Sequence, residues 1–166
     1  MHIVLIEPEI PGNTGNIART CADTGIELHL VKPLGFSTDD KHLKRAGLDY
    51  WHLVKIHYHE NFDEVLKEYA GHNFYYLSKK AAHCYTDIHY QPDDMLVFGK
   101  ETAGIPEEIL KANWDHSVRI PMVKGARSLN LSNSVAIVAF EAERQLGFPG
   151  LEYEGPGLRI DGKQVD

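Results

Sequence analysis

Short apolar runs alternate along this chain with longer stretches of helical period. His2 to Glu7 is an apolar run closed by Pro8, the pattern of a buried strand. Ile17, Cys21 and Thr24 recur at i, i+4, i+7, one face of a helix that Asn13 or Thr14 would cap and Gly25 would stop. Glu27 to Lys32 reads as a second strand, so the chain opens with a β-α-β unit, which implies parallel pairing. Strands are expected at Leu53 to His57, Asn73 to Leu77, Asp94 to Gly99 and Ser117 to Ile120. Helices are expected at Thr38 to Gly47, Phe62 to Tyr69, Pro106 to Lys111 and Ser132 to Leu146, and Ala81 to Gln91 reads as irregular. This alternation predicts an α/β fold with a mostly parallel sheet flanked by helices. In the last helix Val135, Val138, Ala139, Ala142 and Leu146 make one stripe, and Ile137 and Phe140 widen it. Such a helix is buried on more than one face, and part of that burial is expected to be a subunit contact.

Composition narrows the class. The chain has 166 residues, 43% hydrophobic and 25% charged, enough for one domain with a sizeable core. The expected division is a single domain over 1–150 and a Gly-rich, charged, loosely attached tail over 151–166. No apolar run approaches the ~20 residues that span a bilayer. The amino terminus lacks the basic start and cleavage site of a signal peptide. Cys21 and Cys84 form no C-x-x-C pair, so a reducing cytoplasm is the expected setting. The net charge of -7 means that any nucleic acid must meet a local basic patch. Lys41, Lys44 and Arg45 form one such stretch, Arg119, Lys124 and Arg127 a second, and Arg19 stands alone.

Candidate chemistry concentrates in three polar loops beyond predicted strand ends, after Ile6, Phe98 and Ile120, where ligands of parallel sheets bind. From His116 to Phe140 there is no Asp or Glu. Gly99 and Gly104 are spaced as in a phosphate loop, but Ile105-Pro106 replaces the Lys-Ser/Thr pair, which disfavours nucleoside triphosphates. They would instead bring backbone close to a ligand, with Glu101 as an acceptor. Asn16 and Arg19 project together from the first helix, near an end that favours anions. Ser128, Asn130, Ser132 and Asn133 exceed what helix capping needs. Each feature alone has a plainer reading: a surface pair, an ordinary turn, a cap. His57 and His59 share a strand face and His83, Cys84 and His89 lie near one another, but without recognised ligand spacing, so no metal is expected. Ser128 and Ser134 sit in no nucleophile elbow.

Three blocks carry a resemblance: Asn13-Thr14-Gly15-Asn16-Ile17-Ala18-Arg19-Thr20, then Leu96 through Pro106, then Arg119-Ile120-Pro121-Met122 with Arg127 through Ser134. Their order and spacing resemble the SPOUT methyltransferases, and among them the compact tRNA (cytidine(34)-2'-O)-methyltransferase family, over residues 1–150. The resemblance implies a deep trefoil knot over about residues 75–150. It implies S-adenosylmethionine held by Leu77, Gly99, Ile120 and Ser128, with Glu101, Gly104, Met122, Leu129 and Asn133 nearby. It implies a homodimer joined through the helix over 132–147. The substrate it implies is the wobble ribose, position 34, of tRNA with cytidine or a modified uridine there, leucine isoacceptors foremost. Arg19 is the residue similar enzymes place near the reacting hydroxyl, with Asn16 positioning it. An arginine stays protonated, so its expected task is to stabilise the alkoxide while an RNA phosphate takes the proton. RNA would land on Lys41, Lys44, Arg45, Lys124 and Arg127 across the dimer. Phe140 stands where bacterial relatives often carry Tyr, so a role for that hydroxyl does not carry over. A 2'-O-methyltransferase for another RNA site and a non-catalytic tRNA-binding protein are the alternatives.

Overall fold

A computed structural model of the chain describes residues 1–37, 51–160 and 163–165. The helix expected over Thr38 to Gly47, with Lys41, Lys44 and Arg45, lies outside the described residues. Strands β1 (His2–Ile6), β2 (Glu27–Val31), β3 (Ile56–His59), β4 (Phe74–Leu77), β5 (His83–Cys84), β6 (Met95–Phe98) and β7 (Ser117–Arg119) form one seven-stranded sheet. Its order is β3-β2-β1-β6-β4-β7-β5, and every neighbouring pair is parallel. Two strands are late insertions: β6 lies between β1 and β4, and β7 between β4 and β5.

Both faces of the sheet are covered, as a parallel sheet requires. Helices α1 (Pro11–Thr24) and α4 (Leu131–Leu146) supply Ile17, Ala18, Cys21, Val135, Val138, Ala139 and Ala142 to one core, against Ile3, Leu5, Leu28, Leu30, Leu96 and Phe98. Helices α2 (Phe62–Glu68) and α3 (Glu107–Ala112) supply Phe62, Val65 and Leu110 to the other, against Val4, Ile6, Val31, Met95 and Val97. Alternate residues of β1 thus serve opposite cores, and all five are buried. Full burial of each apolar side chain among them, Ile3, Val4, Leu5 and Ile6, contributes about 1.5–3 kcal/mol. The α4 stripe is buried as expected except Leu146, which is partly covered, while Ile137 and Phe140 stay 38% and 46% exposed.

Two elements differ from the sequence reading by more than one residue, and Ala81 to Gln91 is not wholly irregular: it holds β5 at the sheet edge and a single tight helical turn at Tyr85–Asp87. The third strand begins at Ile56, not Leu53; Leu53 is in a turn and 62% exposed, and Ile56 is the residue registered on Leu28. Helix α1 begins at Pro11, so neither Asn13 nor Thr14 caps it. Proline at the first position needs no N–H partner there, and Asn13 sits inside the first turn with its side chain free for tertiary bonds. Gly25 does stop the helix, in the left-handed conformation at φ 74°. In the tail the backbone of β8 (Leu158–Ile160) pairs antiparallel with that of β9 (Lys163–Val165). Ahead of β8 the Tyr153 hydroxyl donates to the Gly147 carbonyl at 3.1 Å. Among the described residues no helix is long and apolar enough to cross a membrane.

Candidate active site

Strands β1, β6, β4 and β7 are consecutive in the sheet, and the chain leaves their carboxyl ends in four loops. A cavity of about 520 Å3 lies among those loops, within the ~300–1,000 Å3 usual for small-molecule sites. The three loops named from the sequence do converge. The fourth, Ser78 to Lys80 after β4, was not anticipated, although a polar Ser-Lys-Lys directly after an apolar strand is the signal that could have found it.

The loop after β6 is closed on itself. Gly104 donates its N–H to the Lys100 carbonyl at 2.8 Å and has φ +73°. A Cβ on Gly99 would stand 2.0 Å from the Gly104 carbonyl carbon and 2.1 Å from the Ile105 nitrogen. Gly99 is therefore required by the loop's own backbone rather than by space for a ligand.

This loop is tied to the one after β1 at several points. Glu101 Oε2 accepts the Glu9 N–H at 2.8 Å, and Oε1 accepts the Ile10 N–H at 3.2 Å and Asn13 Nδ2 at 3.0 Å. The expected ligand acceptor thus lines the cavity with both oxygens already committed. In return the Glu9 carboxylate accepts the Thr102 N–H at 3.0 Å and the Thr102 hydroxyl at 2.8 Å, bonds that hold its pKa below the usual carboxylate value. Lys100 Nζ meets Glu7 Oε2 at 2.7 Å, which raises the lysine pKa. Glu7 itself has φ 49°, a left-handed conformation uncommon outside glycine, so the chain is turned sharply as it leaves β1.

The third wall joins the same network. Asn130 Nδ2 donates to Asn13 Oδ1 at 3.0 Å. Its Oδ1 accepts the Ser132 N–H at 2.9 Å and hydroxyl at 2.6 Å, capping α4. Ser132 and Ser134 are consumed by this cap, as the Ser134 N–H and hydroxyl both reach the Asn130 carbonyl, at 3.0 and 3.1 Å.

Of the positions carried over for a cofactor, Leu77, Gly99, Glu101, Gly104, Ile120, Met122, Ser128 and Leu129 line the cavity, and Asn133 does not. Asn13 and Asn130 line it too, Asn13 from the first turn of α1 and Asn130 from the cap of α4. Asn16 and Arg19 do not line it; both are exposed on α1, with Arg19 roughly 9 Å along the helix axis from Asn13. Lys124 and Arg127 are exposed in the 120–130 loop beside the cavity. Lys79 and Lys80 add cations to its rim, and Lys80 pairs with Glu107. Elsewhere, His2, Glu27 and His29 come together on the β1–β2 face, which spacing along the chain had concealed.

The arrangement suits an adenosine-sized ligand: backbone of the Gly99 to Ile105 loop on one side, apolar Leu77, Ile120 and Leu129, and hydroxyl and amide groups from Ser128 and Asn130. Comparison with known proteins agrees with this architecture. A tRNA (cytidine(34)-2'-O)-methyltransferase from Methylovorus glucosotrophus is 52% identical over 149 residues, covering 89% of this chain and 97% of the relative. A structure solved to study the 2-OH methylation of C/U34 on tRNA is 43% identical with a TM-score of 0.84, covering 88% of this chain and 95% of that one. An AdoMet-bound rRNA methyltransferase from Sinorhizobium meliloti is 28% identical with a TM-score of 0.77, covering 87% of this chain and 56% of that one. The model of the SpoU rRNA Methylase family matches residues 1–140, and this chain belongs to that family.

Proposed function

We propose that this protein methylates the 2'-hydroxyl of the wobble nucleotide, position 34, of tRNA, using S-adenosylmethionine. The observation that carries the reading is the cavity at the ends of β1, β6, β4 and β7, where the cofactor positions implied by resemblance meet, in a chain 52% identical to an enzyme named for that reaction. The family's AdoMet-bound neighbour supports the cofactor. Leu77, Gly99, Ile120, Met122, Ser128 and Leu129 would hold it, and Asn133 is assigned a place beside it. When bound, S-adenosylmethionine supplies an electrophilic methyl group on a sulfonium. The chain's own task is at the ribose. The guanidinium of Arg19 stabilises negative charge developing on the 2'-oxygen, and Asn16 orients the sugar. A phosphate of the RNA takes the proton, since arginine cannot. Lys124 and Arg127, with Lys41, Lys44 and Arg45, hold the tRNA backbone, so binding weakens steeply with salt.

Residues 1–150 act as one catalytic domain, with 151–166 as an appendage. The segment over 75–150 threads a trefoil knot; the late insertion of β6 and β7 between strands already laid supports that path. The working unit is a homodimer through the helix over 132–147, supported by the exposure of Ile137 and Phe140 on an otherwise apolar helix. Leucine tRNAs in the cytoplasm are the assigned substrates.

A second reading, methylation of a ribosomal RNA ribose, is favoured by the family's rRNA description. Mapping 2'-O-methyl groups in RNA from cells with and without the chain separates the two. Loss at nucleotide 34 of leucine tRNAs is expected; an unchanged ribose 34 with a loss in ribosomal RNA replaces the first reading by the second.

A further inference from the structure

A polar cluster on the α2 side of the sheet serves neither the cavity nor the proposed reaction. His2 opens β1, Glu27 opens β2 with His29 two residues on, and β3 adds His57 and His59. Alternation puts Glu27 and His29 on one face, and pairing sets His57 against His29. His2 Nδ1 lies 3.0 Å from His29 Nε2 and 3.9 Å from Glu27 Oε2. One donor atom from each of these three residues lies within 4.8 Å of the others. A tetrahedral ion with bonds of ~2.1 Å has ligand edges of ~3.4 Å. The observed separations straddle that edge.

The surrounding bonds already orient the donors. His29 Nδ1 is 3.0 Å from His59 Nε2, so a proton on Nδ1 leaves the Nε2 lone pair aimed into the cluster. His57 Nε2 lies 2.8 Å from Glu27 Oε2, and Lys55 Nζ lies 2.7 Å from Oε1, which together fix the carboxylate. Burial holds the pKa of His2 down to about 4 and that of His29 to about 3, so both imidazoles are free bases at neutral pH. Burial would raise Glu27, but its bonds from Lys55 and His57 win and hold it at about 2. Two neutral imidazoles and an ionised carboxylate are a donor set for a borderline divalent cation.

We propose that His2, His29 and Glu27 form a site for a divalent transition cation of the zinc class, separate from the cavity. In the metal-free protein a single proton bridges His2 Nδ1 and His29 Nε2. When Nδ1 of His2 takes the cation, that proton moves to Nε2 of the same ring, and the ion ties β1 to β2, so its effect is on stability.

The test uses tag-free protein stripped with a chelator. Titration with Zn2+ in calorimetry is expected to give one ion per chain with no net proton release at neutral pH, because both imidazoles are already neutral, and the unfolding midpoint is expected to rise with Zn2+ but not Mg2+. Co2+ is expected to show the visible bands of a four-coordinate nitrogen and oxygen set. Glu27→Gln and His2→Gln, at the two ligands with some solvent access, are expected to lower affinity at least ~10-fold with the circular dichroism unchanged. No binding at micromolar Zn2+ overturns the proposal. So does unchanged affinity in both variants, which leaves the cluster as a metal-free chain of imidazole hydrogen bonds. If neither variant folds, the Co2+ spectrum of the parent decides: octahedral bands overturn the site.

Discussion

Asn130 donates its side-chain N–H to Asn13 across 117 residues of chain, at 3.0 Å. Asn13 passes the link on to Glu101, and Asn130 also caps α4. One amide pair and one carboxylate thus fix the start of α1, the loop after β6 and the start of α4 against one another. Asn13→Ala should cost about 1–2 kcal/mol, and Asn130→Ala somewhat more because the cap goes too. The double variant should cost less than the sum, with a coupling of about 0.5–3 kcal/mol. Denaturant unfolding of the four proteins measures it, and strict additivity would show that the pair joins nothing.

Gly99→Ala tests the self-closed loop. Its Cβ would overlap the backbone of Gly104 and Ile105, which cannot yield as a flexible side chain could. The loop must open, and with it one wall of the cavity. S-adenosylmethionine affinity should fall at least ~10-fold, a loss of about 1.4 kcal/mol, read by calorimetry. Gly125→Ala, with open space around its Cβ though at φ +84°, is the control for a backbone effect without a clash. Equal losses in both would put the cause in backbone strain rather than overlap.

The fold was legible because its strands are short apolar runs between turn residues, and periodicity reads those directly. The Ile17, Cys21 and Thr24 face and the α4 stripe, apart from Leu146, came out buried as their spacing required. Leu53 misled because two apolar residues beside a turn look like a strand start. The site was legible only in part. Loops after Ile6, Phe98 and Ile120 were visible as polar breaks, but Glu101 bonding to Glu9, Ile10 and Asn13 pairs residues about ninety positions apart, as does Lys100 with Glu7. No local pattern encodes such a match. His2, Glu27 and His29 escaped for the same reason, since only strand pairing brings them together.

Glu143 gives a pH signature. It is 4% exposed on α4, and its Oε2 has no hydrogen-bond partner among the described residues. Burial raises its pKa above the usual value of 4.5, against a weaker pull from the amino terminus. A raised carboxyl pKa stabilises fully below the unfolded value, and that contribution is lost as pH rises through the folded value. Glu143→Gln keeps the shape and removes the titration. Its stability relative to the parent should therefore improve as pH rises from below 4.5 towards neutrality. Urea midpoints at both ends test this, and a constant difference would mean that Glu143 does not titrate in the fold.

Arg19→Ala separates binding from chemistry. Arg19 is exposed on α1 and does not line the cavity, so S-adenosylmethionine affinity should be unchanged. Single-turnover methylation should fall ~100- to 1,000-fold, the usual effect of removing one group that stabilises a developing oxyanion. Arg19→Lys keeps the charge without the planar fork and should recover only part of the rate. Full methylation by the alanine variant would remove Arg19 from the reaction.

Ile137 and Phe140 test the assembly. They stand 38% and 46% exposed on the helix whose opposite face fills the α1 core. Apolar side chains this large, side by side on a rigid helix, suit the centre of an interface, where a buried charge without a partner is costly. Phe140→Asp adds that charge at the more exposed position, away from Val135, Val138, Ala139 and Ala142, so the chain's own core stays intact. Light scattering after size exclusion should change from twice the chain mass to the chain mass, while circular dichroism is retained. Ile137→Glu should do the same, and the pair should bring no further change once the dimer is lost. A parent that already elutes at the chain mass would refute the dimer, and so would a Phe140→Asp protein that stays at twice that mass.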